Sequence, residues 1–242
     1  MLPDHARKGE KMATKSLNRP LLSVLIAAFW VVSAAAPTFS ADGSSALSFK
    51  WAFGALSGPT SGKKLISVRP RSVLHTGDQM KMMVEPIRPC YIYLLYERDG
   101  EDLSLLFPGD FSLFKDPLAP GKRIYLPDGN QWFTLDNQTG IEKFHLLVST
   151  TRRMDFESLI MNFKQGTAAD KITHMNQVTT HLRDLKKEQL RLAKTAERPI
   201  QIGGGFRDVD STQLITSDIS LLSTEINGQD FYIKTYSIEH KE

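Results

Sequence analysis

The chain has 242 residues, with 30 Lys and Arg against 27 Asp and Glu, a formal net charge of +3, and one cysteine. The first 40 residues hold five of the basic and two of the acidic residues, so the remainder balances at 25 of each and the positive total is no sign of nucleic-acid binding. The single cysteine, Cys90, excludes an intramolecular disulfide, and a body of roughly 200 residues can bury a sufficient core without one.

Arg7, Lys8, Lys11, Lys15 and Arg19 precede an apolar run from Leu21 to Ala36, followed by Pro37 and small residues about Ser40 and Ala41. This order predicts a secretory signal peptide over 1–40 and a periplasmic or extracellular protein. The run is shorter than the roughly 20 residues of a membrane span. Cleavage after Ser40 places Thr38 and Ser40 at the small-residue positions; an uncleaved anchor is the alternative. The polar stretch before Met12 makes Met12 a second candidate start. Cys90 does not follow the leader as a lipidation site would, and reads as a small buried apolar residue.

Residues 41–242 read as one domain. Phe49, Trp51 and Phe53 alternate as in a strand, and Ile66 and Val68 mark another. His75-Thr76-Gly77-Asp78 predicts a turn into QMKMMVEP, where Met80, Met82 and Val84 share one face and Lys81 and Glu85 the other: a half-buried strand. Tyr91 to Tyr96 is apolar on both faces, as in a central strand. Asp99-Gly100 turns it into the return arm of Leu103, Leu105 and Phe107, which Pro108 ends. KRIYLP and QWFTL predict two short strands around Asp128-Gly129, and Phe144, Leu146 and Val148 another. Asp155 is the expected N-cap of a short helix over Phe156 to Phe163, with Met154 and Leu159 placed as a hydrophobic staple. After Gly166, Thr167 is the expected cap of a longer helix to about Ala196, with Ile172, Met175, Leu182, Leu185 and Leu192 on its apolar side and Pro199 closing it. Ile219 to Ile226, Asn227-Gly228 and Phe231 to Ile238 predict a final hairpin. The fold class expected is mainly β with late helices: an antiparallel β-sandwich carrying a short and a long α-helix (an insertion over 155–196) before a closing hairpin at 218–240.

The order Gly77-Asp78, YIYLLYERDGE, LLFP, Leu126-Pro127 and Gly140 before KFHLLVST resembles the bacterial domain of unknown function numbered 4384, over roughly Leu74 to Thr151. The resemblance implies an exported, stand-alone accessory or interaction module, in a family without established catalytic residues.

Chemical motifs are weak. GPTSGKK at Gly58–Lys64 lacks the spacing of a phosphate loop, and Gly203-Gly204-Gly205 has no surrounding βαβ unit. Gly54-Ala-Leu-Ser57-Gly58 is not a nucleophile elbow. His174 and His181 stand two turns apart on one helix, too far for an i, i+4 metal pair, and His145 sits in a strand facing a partner strand. Asp208 and Asp210, like Asp99, Glu101 and Asp102, lack the ligand spacing of a calcium loop, and Asp78 reads as a turn residue. No catalytic residue, cofactor or metal is expected. Arg183, Lys187, Arg191 and Lys194 are spaced as a basic stripe on the long helix, suited to an acidic envelope partner or anionic lipid. Trp132, beside Phe133 in a loop-rich stretch, is the candidate carbohydrate contact. The sequence thus favours a non-enzymatic envelope interaction module, with a carbohydrate- or peptidoglycan-binding sandwich, or a hydrolase whose site is assembled from distant loops, as alternatives.

Overall fold

The computed structural model describes residues 47–59, 62–98, 100, 102–192, 196–199 and 218–242. The leader over 1–40, the turn residues Asp99 and Glu101, Lys194, the three glycines at 203–205, Asp208 and Asp210 lie outside them.

The chain is mostly β, in two facing sheets. The first contains β1 (Leu47–Ser57), β2 (Lys64–Ser67), β4 (Gln79–Pro86), β7 (Ile124–Leu126), β8 (Phe133–Thr134), β10 (Ala196–Pro199) and β11 (Thr224–Gly228). Its order is β10-β11-β1-β4-β7, with β2 also on β1 and β8 on β4. The second contains β3 (Ser72–His75), β5 (Tyr91–Arg98), β6 (Asp102–Phe107), β9 (Gly140–Ser149) and β12 (Phe231–Lys241), in the order β3-β12-β9-β5-β6. Pairing is antiparallel except where β3 runs parallel to β12. Two helices, α1 (Met154–Gln165) and α2 (Lys171–Arg191), cover the outer face of the second sheet.

Period-2 alternation builds the core between the sheets. Phe49, Trp51 and Phe53 of β1 and Met80, Met82 and Val84 of β4 face Ile92, Leu94, Phe144, Leu146, Tyr232 and Tyr236 of the second sheet. The opposite parity of β5, β9 and β12 (Tyr93, Leu95, Leu147, Phe231, Ile233) packs against Phe156, Ile160, Met175, Val178, Leu182 and Leu185 of the helices. The second sheet is therefore apolar on both faces, as the two-sided Tyr91–Tyr96 run requires. β4 departs from its half-buried expectation: Lys81 and Glu85 are also buried, Lys81 under the loop between β7 and β8, where it donates to Gln131 O at 3.0 Å, and Glu85 between Lys50 and Arg123, which pair with it at 2.8 and 2.5 Å. Asp78 is a turn residue, accepting from Ser57 Oγ at 2.7 Å and His75 N at 3.0 Å. Gly100 takes φ +77 in the β5–β6 turn, where a Cβ would be strained.

The helix ends differ from expectation. Arg153, not Asp155, caps α1, without a side-chain hydrogen bond. Met154 is 58% exposed and staples nothing. An ion pair flanks that helix start instead: the Arg152 guanidinium meets the buried Glu157 carboxylate at 2.7 and 2.8 Å, and Tyr93 donates to the same carboxylate at 2.8 Å. Thr167 closes a turn on Asp170 at 2.7 Å, and α2 begins only at Lys171. α2 stops at Arg191, and Ala196–Pro199 is a strand at the sheet edge, the place in a sheet where proline is tolerated.

The closing hairpin is the main correction. β11 and β12 are joined by two residues, yet β11 pairs with β1 and β10 in the first sheet while β12 pairs with β9 and β3 in the second. The reason is burial. Along β12, Tyr232, Tyr236 and Ile238 fill the inter-sheet core and Phe231 and Ile233 the helix side, so it takes an inner position with a neighbour on each side.

Candidate functional site: a basic cleft beneath α2

The apolar cover that α1 and α2 give the second sheet ends where the outward residues turn polar. At that end β5 presents Glu97, β9 presents Lys143 and His145, and β12 presents Thr235 and Ser237. Strand register brings them together: Glu97 lies opposite Lys143, and His145 opposite Thr235. Directly opposed side chains on one face of an antiparallel pair are the closest neighbours in a sheet. Above them α2 carries Asn176, Thr179, Arg183 and Lys186, next to the buried stripe of Met175 and Leu182. The space between sheet and helix is about 420 Å3, within the roughly 300–1,000 Å3 of small-ligand sites.

A buried carboxylate organises the floor. Lys143 Nζ donates to one Glu97 oxygen, and the other lies 2.9 Å from His145 Nε2. His145 Nδ1 is 3.0 Å from Thr235 Oγ1. Burial alone would raise the Glu97 carboxyl, but the bonds from His145 and Lys143 outweigh it and hold the group at about 2. Glu97 is thus ionised, with both oxygens engaged.

The rim is basic. Arg183 is anchored along its own helix, donating to Thr179 O at 3.3 Å and Thr180 Oγ1 at 3.0 Å. Lys186 makes no ion pair among the described residues. Beyond the Lys143–Glu97 pair, two cations, Arg183 and Lys186, therefore line the cleft, and Glu97 is its one carboxylate among the described residues. Such a cleft attracts anions, and partial enclosure strengthens the attraction relative to open water.

Of the residues singled out from sequence, Arg183 lines this cleft. Lys187 is tied to Asp184 at 2.9 Å on the exposed side of α2, and Arg191 is exposed at the helix end. Arg183, Lys187 and Arg191 thus stand in different surroundings, and Lys194 lies outside the described residues. Trp132 packs, half-buried, with Ala52, Met83 and Ile219 on the outer face of the first sheet, under Lys81 Nζ at 5.7 Å. Phe133 packs against the inter-sheet core. The residues missed were Glu97, Lys143, Thr235 and Lys186. Their signal was faint: a charge at a position whose parity, along β5 and β9, otherwise holds buried side chains.

Residues 73–152 match the family model described as Domain of unknown function (DUF4384), and this segment of the chain belongs to that family. It holds Glu97, Lys143 and His145, whereas Thr235 and the α2 wall lie outside it. Neither a curated protein nor a solved structure matches the chain.

Proposed function

We propose that this chain, built around a DUF4384 segment, is an exported accessory module of a bacterial envelope that binds an acidic group of a partner beneath α2 and performs no catalysis of its own. The observation that carries the reading is the charge balance of the cleft among the described residues: Arg183 and Lys186 stand beside a Glu97 already paired with Lys143 and His145. An arginine held at its Nε by a helix carbonyl still has donors to offer a carboxylate or phosphate. Export rests on the basic, apolar and small-residue order of the first 40 residues.

Titration of the protein with poly-glutamate tests the binding. Changing Arg183 and Lys186 together to Gln is expected to weaken it about tenfold at low salt, an effect that fades as salt rises. Changing Lys187 and Arg191 instead should leave it within about twofold. Equal loss from both pairs would mean diffuse surface attraction, and no loss from either would remove the cleft from consideration. Cross-linking in native envelope fractions then asks whether a protein partner is lost with the first pair alone.

A hydrolase reading has one observation in its favour, the carboxylate–imidazole–hydroxyl alignment of Glu97, His145 and Thr235. Against it, β9 lies between β5 and β12, so the backbone N–H groups around His145 belong to ladders on both sides and leave none to stabilise an oxyanion. Ester turnover abolished by Thr235→Val would select this reading.

A further inference from the structure

A second concavity, of about 230 Å3, lies between the sheets where β8 faces β5, β6 and β9. Its walls are Met80, Leu106, Phe133 and Phe144, and its polar groups are Arg98, Asp136 and Glu142 among others. All of these fall within residues 73–152, and none belongs to the cleft beneath α2.

Glu142 is 2% exposed. Tyr96 donates its hydroxyl to Oε2. Among the described residues the ion-pair contact of Oε1 is His240 Nδ1, at 3.6 Å, which is too long for a hydrogen bond. His240 is held at its other nitrogen, 3.2 Å from Thr76 Oγ1, and its Nδ1 is itself buried without a partner among the described residues. Arg98, the obvious counter-ion, is engaged elsewhere: Nε donates to the Tyr96 hydroxyl at 3.0 Å and a terminal nitrogen to Gln138 at 2.7 Å, while the other terminal nitrogen stands 3.8 Å from Asp136. Among the described residues Oε1 thus has one long ion-pair contact and no donor at hydrogen-bond distance, on a residue that lines a concavity whose two carboxylates outnumber its one guanidinium. Buried charges are ordinarily paired.

We infer that this concavity binds a primary ammonium on a short apolar stem, either a free alkylamine or the ε-ammonium of a partner's lysine. An ammonium brings three donors to Glu142 Oε1, and the rings of Phe133, Phe144 and Tyr96 favour a cation among them. Met80 and Leu106 accommodate the methylene stem. The volume is below that of sites for drug-sized molecules, which excludes a nucleotide or an oligosaccharide.

The test follows backbone amide shifts of the protein on titration with n-pentylammonium, with Nα-acetyl-lysine N-methylamide, and with n-pentanol as the neutral isostere. Saturable shifts at Leu135 and Phe144 with an ammonium but not with pentanol support the site; the tighter of the two ammonium compounds assigns the source as free amine or lysine side chain. Glu142→Gln, which keeps an oxygen for Tyr96, is expected to weaken binding at least about tenfold. Asp136→Asn, at an exposed position and keeping the Oδ1 that accepts from Gln138 N, should weaken it about threefold. Changing Arg183 and Lys186 to Gln should leave amine binding as it was, so the two sites stand or fall separately. The inference is overturned by shifts that do not saturate by about 50 mM, by equal binding of pentanol, or by unchanged binding in both carboxylate variants.

Discussion

Replacing Glu97 by Gln removes the charge on which the cleft floor is organised. The folded carboxyl sits at about 2 against an ordinary value of 4.5, and each pH unit of that gap is worth about 1.4 kcal/mol. The carboxylate thus contributes roughly 3 kcal/mol to folding at neutral pH. Lys143 is one-third exposed and can swing outward when its partner is gone, so the loss falls at or below that figure. Because the folded value is depressed, the contribution is complete above about pH 5, declines as pH falls through 4.5 towards 2, and vanishes below. Urea unfolding of wild type and Glu97→Gln should show a gap of roughly 3 kcal/mol at pH 7 that shrinks to about 1 kcal/mol near pH 3. The same gap at both pH values, or none at pH 7, would refute the assignment of Glu97 as a buried ionised group. The variant also releases Lys143 into the cleft, so poly-glutamate should bind it more tightly, not less.

Glu157→Gln breaks the charge at the start of α1 shared by Arg152 and Tyr93, and should cost about 2–4 kcal/mol by urea unfolding, since Glu157 is buried while Arg152 is not. Gly54→Ala places a Cβ 2.9 Å from Ile219 Cγ2 and 3.1 Å from Leu222 Cδ1, an overpacking expected to cost about 1–3 kcal/mol and lower the melting temperature measured by circular dichroism. Cys90 is fully buried and its thiol is pushed up to about 12 by that burial, so iodoacetamide at pH 8 should label it only in denaturant. Rapid labelling of the native protein would contradict this packing.

The strands could be read from sequence because alternation is local: Met80, Met82 and Val84 point one way whatever surrounds them, and the two-sided run at Tyr91 announced an inner strand. Helix ends were less legible, since Leu192 and Ala196 continue a helical composition past Arg191 and only pairing with β11 makes Ala196–Pro199 extended. The partner of β12 could not be read at all. A two-residue link after Asn227-Gly228 has the grammar of a hairpin, and only the demand to bury both faces of β12 sends the strands to different sheets. The cleft failed for a related reason. His145 and Thr235 lie 90 positions apart, and Glu97 and Lys143 46 apart, so their meeting depends on register that no local pattern specifies. Arg183 was found because helical spacing is local, while the neutralisation of Lys187 depends on which way Asp184 turns.

The position of β12 has a consequence for the order of assembly. It lies between β3 and β9, and β3 has no other neighbour in its sheet among the described residues. The family segment, over residues 73–152, thus contains most of a strand whose partner among the described residues is made some 165 residues later. Cut out alone, that segment would leave β3 unpaired and the long edge of β9 open, and it should not fold. In the whole chain the second sheet cannot close until the most distal strand has been synthesised, so loops of very long range must form together and late. A polypeptide built this way stays unfinished, and threadable, for as long as that strand is withheld.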